Sequence, residues 1–308
     1  MTHDPQPLTL TLTVLSSTLA RFNLALSRNG ARVIPLALAS QLSLPFGDLF
    51  AGLLASKRET AVRNYAHVLG RPPVDPLVQR TARECFRQFA RYVAEIIHVQ
   101  GWGTQNVLDR LDVEGAEHLA EAEAHGRGVI FVSGHMGSTE VAAAMAILRG
   151  YRVTSVAETI KPDWLMEYLV LSRRRMGIDL LPANRSGVAL LRALRRGGMA
   201  AFVIDAGIDR GGAVPVTFFG RETLFPDGPA RLARLSGAPL VFGAAVRLPR
   251  GRYRAFVFPP VFPDRKADPN VDAQRLTQSL AGTLEGLVRR YPAQWYAFRE
   301  VWPQPRSS

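Results

Sequence analysis

The chain has 308 residues, 47% apolar and 21% charged, a composition that excludes a disordered or fibrous protein and allows a substantial hydrophobic core. A single cysteine, Cys85, excludes a disulfide framework or a cysteine-based zinc site within the chain and suits a reducing compartment. The formal charge of +12, carried almost wholly by arginine, calls for a polyanionic partner: nucleic acid, an anionic membrane surface, or a phosphorylated or carrier-bound substrate.

Asp4 and Pro5 stand where the basic start of a secretory signal would be, so no signal peptide is expected. The leader that follows is apolar and weakly charged. Its best stretch, residues 33–55, is broken by Pro35 and Pro45 and diluted by Gln41 and Asp48, whereas a spanning helix needs about 20 predominantly apolar residues. The leader reads as a segment lying in the membrane interface, a hydrophobic hairpin, or a structural helix pair. Residues 1–56 are therefore set apart as an apolar, helical, membrane-associating segment, and residues 57–308 as an α/β domain.

An amphipathic helix is predicted over 57–69, and 70–73 (GRPP) stops it. Asp75 and Pro76 then supply an N-cap and a first-turn proline for a helix to about residue 99. Cys85, Phe86, Phe89, Ala90 and Val93 recur at helical spacing, so Cys85 is expected to be a small buried hydrophobe. After a short helix over 116–124, strands and helices alternate. Strands are expected at 128–133, 153–157, 179–181, 199–204, 240–246 and 252–258. Helices are expected at 138–149, 164–176, 187–196, 229–236 and 272–291. The continuous apolar run GVIFVS suits a strand buried on both faces. Residues 247–251 (RLPRG) resemble a hairpin turn, which makes the last strands antiparallel. The fold expected is a mixed, largely parallel central sheet flanked by helices, with the apolar helical region in front.

The segment 132–140 (VSGHMGSTE) carries the chemistry. A buried strand ends, a loop containing Gly134 and Gly137 presents His135, and a helix starts near Ser138. Reactive groups in open α/β sheets gather at the carboxyl ends of strands, and glycines let the backbone turn and a ligand approach. With His135 in the loop and Glu140 in the first helical turn, the carboxylate is placed to hold one ring nitrogen and leave the other as a base. His118 and Glu123 repeat the spacing in a charged helix without a preceding strand or glycine loop, so context rather than spacing singles out His135. Backbone amides at the helix start near Ser138 are candidate oxyanion donors. Trp295 and Trp302 are expected to pack the C-terminal segment.

The segment around His135 resembles the first motif of the glycerolipid and lipid A acyltransferases. Further segments resemble the lipid A biosynthesis (lauroyl or myristoyl) branch: 58–64 (RETAVRN), 85–91 (CFRQFAR), 176–182 (MGIDLLP) with Arg185, 201–205 (AFVID), 214–220 (VPVTFFG), 228–233 (GPARLA) and 292–296 (PAQWY). The similarity runs in order from about residue 55 to residue 302, and the related mannoside-lipid acyltransferases share the architecture. It implies an acyltransferase acting in lipid biosynthesis, with His135 and Glu140 as the catalytic pair. Arg175, Arg185 and Asp205 then fall at substrate-binding positions, along with the loop glycines Gly134 and Gly137. Asp205 matches the first acid of the family's Asp-Gln-Asp segment, but Ala206 and Gly207 follow it here, so the second acid is missing.

The implied partners are a glycolipid or phospholipid acceptor, an acyl carrier protein or coenzyme A thioester as donor, and an anionic membrane surface. Neither a metal nor a bound cofactor is expected. The implied location is the cytoplasmic face of the inner membrane, with peripheral or shallow attachment. Other classes lack their signatures. There is no Gly-x-Ser-x-Gly elbow, no phosphate loop, no Gly-x-Gly-x-x-Gly after a strand, and no helix-turn-helix, zinc or aromatic RNA-binding motif, so a nucleic-acid partner is not expected.

Overall fold

The computed structural model describes residues 36–99, 109–157, 170, 173–174, 176–182, 186–205 and 212–302. The helix predicted at 164–176 lies almost wholly outside these residues, as do Arg175, Arg185, Ala206, Gly207 and the leader before residue 36.

Helices α1 (Leu36–Leu42), α2 (Leu44–Leu53), α3 (Ala55–Leu69) and α4 (Pro76–Val99) precede the sheet. Pro45 sits in the first turn of α2, where its missing amide costs nothing, so it starts a helix rather than breaking one. Helix α2 packs closely on α4: a Cβ at Gly47 would stand 2.6 Å from the Arg87 Cα. Asp48 accepts from Arg83 Nε (2.8 Å) and Arg87 Nη2 (2.8 Å). The helical run Leu38–Leu53 and α3 meet at 97°, and no single described helix is long and apolar enough to cross a membrane. Gly70, in the left-handed region (φ 61°), ends α3 as the GRPP segment required.

Next come β1 (Leu111–Glu114), α5 (Ala116–Ala124), β2 (Val129–Ser133), α6 (Thr139–Leu148), β3 (Val153–Ala157), β4 (Ile178–Pro182), α7 (Gly187–Arg195) and β5 (Met199–Val203). The chain continues through β6 (Ala213–Phe218), β7 (Arg221–Pro226), α8 (Gly228–Ser236), β8 (Leu240–Leu248), β9 (Arg252–Val257) and α9 (Pro269–Arg290). Seven strands form one sheet in the order β1-β9-β8-β2-β5-β3-β4. All neighbours run parallel except β8 and β9, which pair antiparallel across the one-turn 3-10 segment Pro249–Gly251, as the RLPRG turn led us to expect.

Strand β2 lies at the centre with every residue buried. Its side chains alternate between two cores. Ile130 and Val132 join a cluster built with α3, α4, α7, α8 and α9, and Val129 and Phe131 join one built with α5 and α6. This two-sided burial is the reason β2 reads as an unbroken apolar run. Cys85 is fully buried, and burial pushes its thiol up to about 12, which makes it a packing residue.

Two elements were not expected. Strand β1 is a four-residue edge strand with only half-buried or exposed residues, too short to leave a pattern. Strands β6 and β7 form a separate antiparallel hairpin turned by Phe219 (φ 53°) and Gly220 (φ 73°). The hairpin is tied to α9 by the Thr217 amide donating to Gln278 Oε1 (2.8 Å).

Candidate active site

Strands β2 and β5 are adjacent, parallel and in register, with Ser133 opposite Val203. Two residues past each of these ends stand His135 and Asp205. Equal offsets from paired residues bring the two side chains together although they lie 70 positions apart. The ring Nδ1–H donates to Asp205 Oδ1 at 2.9 Å, and the His135 backbone amide donates to the same carboxylate at 2.8 and 2.9 Å. The Trp295 indole Nε1–H supplies a further bond to Asp205 Oδ2 at 2.8 Å. The Asp205 side chain is only 2% exposed while that of His135 is 46% exposed, so the carboxylate is enclosed and the ring faces outward. Burial pulls the Asp205 carboxyl upward, but His135 and the converging donors outweigh it and hold it below the ordinary carboxylate range. With Nδ1–H committed to an ionised Asp205, the basic nitrogen of the ring is Nε2.

The sequence suggested Glu140 for this partner, and the geometry corrects that reading. Ser138 is extended (φ −120°, ψ 99°) and α6 begins at Thr139, so Glu140 lies in the first turn, where its Oε1 accepts from Arg173 Nη2 at 2.5 Å. Burial pushes the Glu140 carboxyl up, Arg173 opposes this, and nearby Glu95 adds to it. Glu140 therefore anchors the start of α6 to Arg173, and the Tyr92 and Thr139 hydroxyls meet beside it at 2.7 Å. Asp205, expected at a substrate-binding position, has its carboxylate bonded to His135 and Trp295. The amide nearest the helix start is also committed, since Ser138 N–H donates to the Ala245 carbonyl at 2.7 Å. Arg173 and the indole of Trp295 were not recognised as polar parts of the site. Trp295 is 1% exposed and packs as expected, but its N–H has a specific acceptor as well.

Gly137 is dictated by space, and Gly134 lies close against a core side chain. A Cβ on Gly134 would lie 2.6 Å from Leu284 Cδ1, and one on Gly137, in the left-handed region (φ 59°), would lie 1.9 Å from the Ala245 carbonyl oxygen. Gly137→Ala is thus expected to displace the loop from β8. It should lower the melting temperature by several degrees and depress activity more than stability; an alanine variant with wild-type melting and turnover would contradict this placement. Among the described residues no three His, Cys, Asp or Glu side chains converge as a metal cage. An open cavity of about 450 Å³ along α9, lined by Ser279, Gly282, Gly286 and Arg290, shares no residue with the site.

A carboxylate-oriented, outward-facing imidazole at the carboxyl edge of a largely parallel sheet has the parts of a general-base site for group transfer to a hydroxyl. Residues 17–304 match the family of bacterial lipid A biosynthesis acyltransferases, and the chain belongs to that family. It is accordingly an O-acyltransferase. Relatives include a phosphatidylinositol mannoside acyltransferase of Mycolicibacterium smegmatis, 29% identical over 244 residues covering 78% of each chain. The protein of that name from Mycobacterium tuberculosis H37Rv is 28% identical, covering 78% of this chain and 75% of its own. The lipid A biosynthesis palmitoleoyltransferase of Escherichia coli K12 is 29% identical over 190 residues, 59% of each chain.

Proposed function

We propose that the protein transfers a fatty acyl group from an acyl carrier protein or coenzyme A thioester to a hydroxyl of a glycolipid, with His135 as general base and Asp205 as the group that orients it. The observation that carries this reading is the 2.9 Å contact between His135 Nδ1 and the enclosed Asp205, made by a ring that is otherwise turned outward. His135 Nε2 removes the acceptor hydroxyl proton as the oxygen attacks the thioester carbonyl. The tetrahedral intermediate then collapses, the C–S bond breaks, and the imidazolium returns the proton to the departing thiolate. Asp205 stabilises the imidazolium between these steps. The choice of a glycolipid acceptor is supported by the names of the relatives, a phosphatidylinositol mannoside acyltransferase and a lipid A biosynthesis palmitoleoyltransferase.

The test incubates the purified protein with acyl-coenzyme A or acyl carrier protein thioesters and with a lipid A precursor or a phosphatidylinositol mannoside. Mass spectrometry is expected to show an acceptor heavier by one acyl chain in at least one combination. Thioester hydrolysis without acylation of any of these acceptors would overturn the proposal.

The site is proposed to work at the cytoplasmic face of the inner membrane. Leu38, Leu42, Phe46, Leu49, Phe50, Leu53 and Leu54 are exposed on α1, α2 and their junction with α3, next to exposed Lys57, Arg58 and Arg63. An apolar face with a basic margin suits shallow insertion into an anionic bilayer, where burying one Leu or Phe side chain contributes about 1.5–3 kcal/mol. Replacing Phe46, Leu49 and Leu53 together with serine is expected to weaken sedimentation with phosphatidylglycerol-containing vesicles at least about tenfold. Unchanged sedimentation would remove this face from the attachment.

A further inference from the structure

We propose that the buried Glu95–Arg247 pair, acting with Tyr296 on the Gly137 carbonyl, is a positioning device that fixes the His135 loop for catalysis. The inference rests on the assignment of His135 as the base.

The loop between β2 and α6 is held by groups outside it at almost every peptide. The His135 amide donates to Asp205, the Gly137 amide to the Gln294 carbonyl (2.8 Å) and the Ser138 amide to the Ala245 carbonyl (2.7 Å). The His135 carbonyl accepts from the Tyr296 amide (2.7 Å), and Met136 bridges to Trp295. The Gly137 carbonyl is gripped by side chains: Arg247 Nη2 donates to it at 2.9 Å and the Tyr296 hydroxyl at 2.5 Å.

These two donors are themselves immobilised. Arg247 is paired in bidentate fashion with Glu95, Nε to Oε1 at 2.5 Å and Nη2 to Oε2 at 2.7 Å, and the Tyr253 hydroxyl also donates to Glu95 Oε1 at 2.8 Å. Arg247 Nη1 donates to the Tyr296 oxygen at 2.9 Å. The Gln294 side chain clasps the Arg247 backbone on both sides, accepting from its amide at 2.8 Å and donating to its carbonyl at 2.9 Å. Glu95 and Arg247 side chains are 1% and 8% exposed. Arg247 of β8 and Tyr296 of the C-terminal segment thus meet on one peptide oxygen, two residues beyond His135, and Glu95 of α4 and Tyr253 of β9 back them from behind.

A buried ion pair adds little net stability over an apolar pair of the same volume, because desolvation offsets the attraction. What the pair contributes here is direction. A guanidinium locked by two carboxylate oxygens aims its remaining hydrogens at fixed points, and a displacement of about 1 Å at a catalytic group costs about 100-fold in rate. Glu95 and Arg247 lie 40 positions before and 112 after His135, so no local motif announces them.

The test compares Glu95→Leu/Arg247→Met, which removes both charges together, and Tyr296→Phe, which removes one hydroxyl. Each is measured in the acylation assay with melting followed in parallel. The double variant is expected to fold and to lose about 10- to 100-fold in kcat with KM for donor and acceptor within twofold. Tyr296→Phe is expected to lose several-fold in kcat, and Tyr296→Phe decides the question should the double variant fail to fold. Wild-type kcat in Tyr296→Phe, or a loss in either variant that resides in KM, overturns the proposal. If His135→Ala retains wild-type turnover, the assignment of the base fails instead, and the two failures are told apart.

Discussion

Replacing His135 with alanine is expected to lower the rate of acyl transfer by about 100- to 10,000-fold, the range that a positioned general base contributes. The fold should persist. The ring is nearly half exposed, and its removal takes one of four hydrogen bonds from Asp205, which keeps the His135 amide and the Trp295 indole as donors. The loop peptides are held through their backbone, and alanine preserves those bonds. Turnover and thermal melting measured on the same preparation separate the two effects. A variant that melts like the parent and still turns over at the parental rate would end the assignment of His135 as the base.

The second large effect is expected at Asp205. Asparagine in its place is nearly isosteric and keeps one acceptor for the converging donors, so much of the packing survives. It no longer stabilises an imidazolium, and its amide can favour the wrong tautomer of the ring. A loss of about 100-fold or more in kcat is expected, with acceptor KM little changed. Asp205→Ala is expected to add a stability cost of about 1–3 kcal/mol for each of the donors it orphans. Glu140→Gln makes the informative contrast. It leaves an acceptor for Arg173 and does not touch the ring, so its effect on kcat should be the smaller, with destabilisation from a half-buried arginine that has lost its counter-charge. The opposite ranking, with Glu140→Gln the more severe in kcat, would return the orienting role to Glu140.

The parts of this account that sequence carries well are those written locally. The run 128–133 is apolar because β2 is buried on both faces, and the glycine-flanked histidine after it marks a strand exit whatever the rest of the chain does. The helix 76–99 follows from Asp75, Pro76 and its periodicity, and the helices expected at 57–69 and 116–124 form as Ala55–Leu69 and Ala116–Ala124. The antiparallel return at 249–251 follows from Pro249 and Gly251.

The partner of His135 was misread for a physical reason. Spacing along one chain ranks Glu140, five residues away, above Asp205, which becomes a neighbour only once β2 and β5 pair. The register was nonetheless latent in the sequence: each strand is an apolar run, and each is followed at the same distance by a titratable residue. Hairpin β6–β7 was obscured differently. Val214, Val216 and Phe218 alternate with exposed residues, but Pro215 in their midst argues against a strand, and it is tolerated because β6 is an edge strand whose outer side meets side chains of α9 rather than another strand. Glu95 lies in no segment singled out by sequence, and the segments that hold Trp295 and Arg247 do not announce the bonds to Asp205 and Glu95, because those bonds arise from convergence of distant elements.

The central geometric claim is that an ionised Asp205, and not Glu140, holds the Nδ1–H of His135 so that Nε2 is the base. It is tested most directly by nitrogen-15 and proton NMR of protein labelled at histidine. The account predicts a hydrogen-bonded Nδ1–H resonance assigned to His135, with Nε2 the unprotonated nitrogen of the neutral ring. That proton signal should persist in Glu140→Gln and vanish in Asp205→Asn. A neutral ring carrying its proton on Nε2, or a signal lost in Glu140→Gln and kept in Asp205→Asn, would contradict it.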